Sequence, residues 1–151
     1  MSQSLSKLFV HIVYHIKTTS VTIRKEDRAA LYAYMGAVIK DKGSIPIIIN
    51  GVGNHVHILC VMSKNIALAK LVEEIKGNSS RWIKTLHPYY KDFAWQGGYG
   101  GFSVSASIHD RTKKYIENQE EHHKKKTFKE EYRILLKKYG IDYDEQYLWT
   151  D

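Results

Sequence analysis

The order in which two hydrophobic periodicities alternate does most to restrict how this chain can fold. Leu8 to Ile16 holds Phe9, Val10, Ile12, Val13 and Tyr14, the β-branched and aromatic residues of a strand. From Lys25 to Lys40, Leu31, Met35, Val38 and Ile39 recur at helical spacing. Glu26 and Asp27 suit that helix's first turn, and Gly43 stops it. Ile45 to Ile49 is a second strand, with Pro46 near its start, where proline is tolerated. Gly51-Val52-Gly53-Asn54 is turn chemistry, and His55 to Met62 is a third strand. Asn65 to Leu86 is a second helix burying Ile66, Leu68, Leu71, Val72 and Ile75, with Gly77 a weak point midway. His87 to Asp92 is a loop, Trp95 to Gly101 is irregular, and Phe102 to Ala106 is a fourth strand. Helices follow from about Ile108 to His123 and from Phe128 to Tyr139. The tail carries Tyr143, Tyr147, Leu148 and Trp149 and is expected to dock. This order predicts an α+β, ferredoxin-like (RRM-like) split βαβ sandwich: an antiparallel sheet with added C-terminal helices. With no repeat or linker, residues 1–151 read as a single domain.

The composition, 43% hydrophobic and 26% charged, is that of an ordinary globular protein. No run approaches the ~18 apolar residues of a membrane span, and no secretory leader opens the chain, so a cytoplasmic location is expected. Cys60 is the single cysteine, which excludes an internal disulfide; inside an apolar run it reads as a small buried side chain. The formal net charge of +7 directs the search towards polyanions, nucleic acid first.

Two short patterns carry chemistry. In His55-Val56-His57, residues two apart on a strand project from one face, so both imidazoles can share a metal. Two histidines in a strand are also a common accident. In Tyr115-Ile116-Glu117-Asn118-Gln119, residues four apart on a helix share a face, which brings Tyr115 over Gln119. A packed tyrosine beside a solvated glutamine is the plainer reading of that pattern alone. His123 falls on the same face and can approach a metal or a phosphate, although solvated histidines at His122 and His123 are the simpler expectation.

Taken together, these patterns resemble the IS200-like transposases, the single-tyrosine HUH enzymes of insertion sequences. The resemblance runs through Asn54-His55-Val56-His57, the helix from Lys76 to Trp82, Trp95-Gln96, Tyr99-Gly100 and Phe102-Ser103-Val104-Ser105 to Tyr115-Ile116-Glu117-Asn118-Gln119-Glu120-Glu121-His122-His123. It implies that His55 and His57 bind a divalent metal, Mg²⁺ or Mn²⁺, with Gln119 as third ligand and Tyr115 as nucleophile. It implies cleavage and rejoining of single-stranded DNA through a 5′-phosphotyrosine, by a homodimer that recognises hairpins at element ends and can exchange its tyrosine helix.

A tyrosine hydroxyl, with a reference pKa of ~10, needs a nearby cation to favour the phenolate. Two imidazoles and an amide oxygen are not an all-oxygen Mg²⁺ cage and suit Mn²⁺ as well; a structural zinc site calls for more Cys and His. Arg81, Lys84, Lys113, Lys114, Lys124 and Lys125 are candidates to hold DNA phosphates, with Lys126 beside them. Trp95 and Tyr99 can stack on unpaired bases or wedge into a small core. Two rivals remain: a domesticated nuclease that processes hairpins, and a nucleic-acid-binding module without catalysis, for which Lys7 to Lys17 lacks an aromatic-glycine RNA-binding signature.

Overall fold

The computed structural model describes residues 2–149. Strands β1 (Leu8–His15), β2 (Ile45–Val52), β3 (His55–Met62) and β4 (Gly100–Val104) form one antiparallel sheet in the order β2-β3-β1-β4. Helices α1 (Lys25–Asp41) and α2 (Leu68–Ile83) are the two crossovers. This is the expected ferredoxin-like arrangement. The histidine strand β3 and its neighbour β1 are central, each with a paired strand on both sides.

Alternation sorts the two faces. Ile12, Tyr14, Val56, Ile58 and Cys60 point to α1 and α2, where they meet Leu31, Met35, Leu71 and Ile75 in the main core. The other face is covered by α3 (His109–Glu117), α4 (Gln119–His122) and α5 (Phe128–Lys138). There Val13 and Phe102 pack on Phe128, Tyr132, Leu135 and Leu136 of α5. Leu148 and Trp149, at the end of the short α6 (Glu145–Leu148), join that cluster, so part of the tail docks as expected. Tyr143 and Tyr147 remain exposed, and Asp151, the last residue of the expected tail, lies outside the described residues.

Three boundaries differ from expectation. The second helix begins at Leu68 rather than Asn65 and runs through Gly77 without a break. Gly100 and Gly101 belong to β4 rather than to the loop, because they pair with Val13 and Ile12 of β1. A Cβ on Gly100 would lie 2.7 Å from the Tyr132 hydroxyl of α5, and one on Gly101 would lie 2.6 Å from Leu68 Cδ2 of α2. Finally, the helix expected from Ile108 to His123 is broken at Asn118. The Asn50 amide, from β2, donates to the carbonyls of Ile116 (2.9 Å) and Glu117 (3.2 Å). These are the acceptors that a continuous helix needs for residues 120 and 121.

The β2–β3 hairpin aims the histidine strand. A Cβ on Gly51 would fall 2.2 Å from the His55 carbonyl oxygen and 2.9 Å from Val56 Cα, both backbone atoms. Gly51→Ala is therefore expected to cost about 1–3 kcal/mol and to displace the start of β3. Urea denaturation and metal titration of the variant measure the two effects; an unchanged midpoint contradicts the tight approach.

Candidate metal and nucleophile site

Four histidines occupy the helix-covered face of the two central strands. His55 and His57 alternate along β3, and His11 and His15 lie on β1, where His15 pairs with His55 and Val13 with His57. All four are buried. His11 and His15 were legible as a second histidine pair on the first strand, four apart and so on one face, but nothing in the resemblance drew attention to them.

The helical layer brings further groups to this face. Gln119, at the start of α4, is fully buried, and its Oε1 lies 3.2 Å from His55 Nε2 and 3.1 Å from His123 Nε2. His123 is not the solvated residue expected; its side chain is 9% exposed, and Nε2 is 3.1 Å from Glu131 Oε1. Asn118 turns the chain between α3 and α4, and the following turn folds His123 inward over Gln119. His122 stays at the margin, 3.9 Å from Glu131 and a third exposed.

Glu131, the residue that sequence reasoning missed, organises the site. It projects from α5 with 2% of its surface exposed. Oε1 meets His57 Nε2 at 3.0 Å and His55 Nε2 at 3.4 Å, while Oε2 accepts from Gln119 Nε2 at 2.9 Å and from the Tyr115 hydroxyl. The signal was present: Phe128, Glu131, Tyr132 and Leu135 form the buried stripe of a helix, and a carboxylate within such a stripe needs partners. Phe128 stacks on the His55 ring at 4.1 Å, so α5 both supplies the carboxylate and seals the site.

Each imidazole is held from behind. His55 Nδ1 is 2.7 Å from Asn54 Oδ1, His57 Nδ1 is 2.8 Å from His11 Nε2, and His123 Nδ1 is 2.8 Å from the Lys126 carbonyl. Such contacts fix ring orientation and aim Nε2 forward. One donor atom from each of His55, His57, His123 and Glu131 lies within 4.8 Å of all the others. This buried group can bind a metal ion.

Protonation supports that fit. Burial lowers His55 to about 4, so its ring is neutral near pH 7. One proton cannot serve both Asn54 Oδ1 behind the ring and the Gln119 and Glu131 oxygens before it. With the proton on Nδ1, a nitrogen lone pair faces oxygen lone pairs across the centre, an arrangement that a cation relieves. Burial also drives His11 well below its usual value. Burial raises Glu131, but the histidines around it, His123 first, outweigh burial and hold the carboxyl far below the usual range. Burial, then the Glu131 charge and hydrogen bond, push the Tyr115 phenol above its ordinary value. In this state the tyrosine keeps its proton.

These shifts predict how the metal-free protein responds to pH. His55, lowered in the fold, contributes stability that is present above its unfolded value of ~6.5 and lost as pH falls towards about 4. His123 behaves oppositely. Burial lowers it, but the Glu131 hydrogen bond prevails and raises it, so its contribution is lost as pH rises above ~6.5. Melting temperature should peak near pH 6.5, with a steeper acid limb, and His123→Ala should flatten the alkaline limb. A monotonic profile across pH 4–9 contradicts this assignment.

The remaining candidates divide by layer. Lys113 and Lys114 on α3, and Lys124 and Lys125 after α4, share the layer of Tyr115, although Lys124 pairs with Glu121 at 2.8 Å. Arg81 and Lys84 end α2, on the opposite side of the sheet, and Arg81 donates to Asn78. Trp95 is a core residue, edge-on to Tyr14 and Phe93, with Nε1 donating to Ser79. Tyr99 is 37% exposed above Lys76, whose ammonium donates to the carbonyls of Gln96 and Gly98 and shapes the glycine-rich loop. Burial pushes the Cys60 thiol up to about 12, consistent with an inert core residue.

The family described as "Transposase IS200 like" matches residues 4–119. No curated protein matches the chain. A Deinococcus radiodurans R1 protein assigned as a transposase superposes with a TM-score of 0.60 at 20% identity, covering 79% of this chain and 98% of that one. A REP-associated tyrosine transposase, solved bound to a REP hairpin, superposes with a TM-score of 0.55 at 12% identity, covering 83% of this chain and 74% of that one. At these identities the two structures bear on the fold. Among the described residues, no helix is long and apolar enough to cross a membrane.

Proposed function

The chain belongs to the IS200-like transposase family, and from that membership and the geometry of its histidine face we propose that it cleaves and rejoins single-stranded DNA through Tyr115, in the cytoplasm. The observation that carries the proposal is the Glu131 carboxylate, which meets the Tyr115 hydroxyl on one oxygen and His55, His57 and His123 on the other. Nucleophile and metal-binding group thus share one buried centre.

In the proposed step, Tyr115 Oη bonds to the scissile phosphorus and the bond from phosphorus to the DNA 3′ oxygen breaks. Glu131 Oε2 accepts the hydrogen bond of the Tyr115 hydroxyl and aims its oxygen; as the P–O bond forms, the phenolic proton passes to water, and water returns one proton to the 3′ oxygen, which leaves as a hydroxyl. The product is a 5′-phosphotyrosine ester. Because one phosphodiester replaces another, attack by a DNA 3′ hydroxyl reverses the step without ATP. His11 and Asn54 orient His57 and His55, and Phe128 excludes water from the His55 ring. A divalent cation held by His55, His57 and Gln119, with His123 and Glu131 completing the set, would neutralise charge developing on the phosphate.

Mg²⁺ or Mn²⁺ is the expected ion. A set of three imidazoles, a carboxylate and the Gln119 amide oxygen contains more nitrogen than the sequence suggested, which favours Mn²⁺ over Mg²⁺ and admits Zn²⁺. Calorimetric titration should rank Mn²⁺ above Mg²⁺; the reverse order argues that His123 stays outside the coordination. His55→Ala and His57→Ala should each abolish cleavage of hairpin-bearing strands while leaving hairpin affinity within a few-fold. Retained cleavage in both variants removes the metal from the reaction.

Hairpins in single-stranded DNA are the proposed partner, by analogy with the hairpin-bound relative. A homodimer would bring two element ends together. Tyr115 and the histidines meet within one chain, so the tyrosine is proposed to act in cis. Mixing Tyr115→Phe with His55→Ala protein should therefore restore no cleavage; restored cleavage means that the helix is exchanged between partners.

A further inference from the structure

Beside Tyr115 lies a second, unassigned feature. A cavity of about 280 Å³ opens from the site between α3 and α5. Tyr115, His11 and Glu131 form its inner end. Ile108, just before α3, and Ile134 and Leu135 of α5 form apolar walls, with Tyr139 at the end of α5. Tyr139 is stacked on Phe102 at 4.7 Å, which holds its ring in place. Around the rim are Arg111, Lys126 and Lys138, all exposed.

This lining suits one class of occupant. Ile134 is 51% exposed on a helix whose other apolar residues are buried, so its side chain faces the opening without a protein partner to cover it. An apolar slot fits the faces of a heteroaromatic base, whereas three cations on the rim fit phosphates. The volume is close to the lower end of small-molecule pockets, which limits it to a single base and not a stack. The α5 wall lies beyond residue 119, where the family match ends, so it is an addition to the shared part of the chain.

We infer that this cavity between α3 and α5 receives one unpaired nucleotide adjoining the scissile phosphate, with its base against Ile108, Ile134 and Tyr139 and its flanking phosphates at Arg111, Lys126 and Lys138. The inference rests on the proposed action on single-stranded DNA. It adds a means of selecting where the strand is cut: a base in the cavity fixes the next phosphate at Tyr115. Stacking would be sequence-tolerant, and the apolar walls give it a size preference more than a hydrogen-bonded code.

The test uses the full chain as Tyr115→Phe, so that no strand is cut. The probes are hairpin DNAs with unpaired flanks of about ten nucleotides, in the range that single-strand binders cover. They are first selected for binding from randomised flanks and then made abasic at one flank position at a time. One position should lose affinity about tenfold when its base is removed. Adding Ile134→Ala and Lys138→Ala, both exposed and so without expected cost to folding, should reduce that loss to less than twofold while leaving other positions unchanged. Lys138→Ala alone should also lower the salt dependence of binding by about one counterion. If hairpins bind but no position is singled out, or the abasic loss persists undiminished in the double variant, the cavity assignment is overturned and the strand-cleavage reading stands. If no hairpin strand binds, the reading beneath it fails as well.

Discussion

Tyr115→Phe is expected to fold and bind hairpin-bearing single strands as the unaltered protein does, and to form no covalent adduct with them. Phenylalanine keeps the ring, which lies 5.7 Å from His57 and 5.1 Å from His122, and removes the one atom able to attack phosphorus. Cleavage should fall by on the order of 10³-fold or more, as when other enzymes lose their nucleophile. With Mn²⁺ or Mg²⁺ the unaltered protein should give a denaturation-resistant protein–DNA species whose phosphorylated peptide contains Tyr115. The variant also loses the hydroxyl's hydrogen bond to the Glu131 carboxylate, worth about 1.5–3 kcal/mol for a charged acceptor. Loss of that bond relieves Glu131 of one partner but leaves the imidazoles and Gln119, so the site should persist. A purely structural tyrosine predicts the same modest destabilisation with cleavage retained. Adduct mapped to another residue, or full activity in the variant, removes Tyr115 from the chemistry.

Glu131→Gln should have the largest effect on metal binding and on the metal-free fold. The carboxylate accepts from Gln119 and Tyr115 and touches His55, His57 and His123 in a nearly dry environment. Gln preserves its shape, removes its charge and turns one acceptor into a donor that faces the Gln119 amide or the Tyr115 hydroxyl. Removing one partner of a buried charged network typically costs about 3–5 kcal/mol, and this change should approach that range in the metal-free protein. Mn²⁺ affinity should fall at least about tenfold, judging from the cost of altering groups around metal sites. The competing possibility is that Glu131 occupies the centre only when the cation is absent. In that case Glu131→Gln would bind Mn²⁺ more tightly, because the ion no longer has to displace a carboxylate. Calorimetry decides by the sign of the change, and melting curves with and without Mn²⁺ supply an independent reading through ligand-linked stability.

The order of strands and helices and the facing of His55 and His57 were legible in the chain because each depends on local periodicity, whereas Tyr115 and Gln119, on either side of the break at Asn118, meet through Glu131. Side chains alternate along a strand and return every turn on a helix, whatever packs against them. Boundaries were legible only until another element intervened. Asn50 ends α3 from a distant strand, and side chains of α2 and α5 close over two glycines of β4, so neither effect is visible in the segment it changes. The Arg81 and Lys84 cluster shows the same limit: one-dimensional proximity of charges does not say on which side of a sheet they emerge.

The site's remaining parts were decided by tertiary packing. His11 meets His57 because β1 pairs with β3 in one register, and a shift by one residue would turn it to the opposite face. His123 enters because the chain turns at Asn118, and Glu131 enters because α5 folds back over the histidine face. By itself the sequence determined which side chains share a face; only the fold determined which faces meet. The reason is that periodicity acts over a few residues, whereas burying a carboxylate among three imidazoles depends on contacts between segments brought together by the core, where a charge left without them would be too costly to keep.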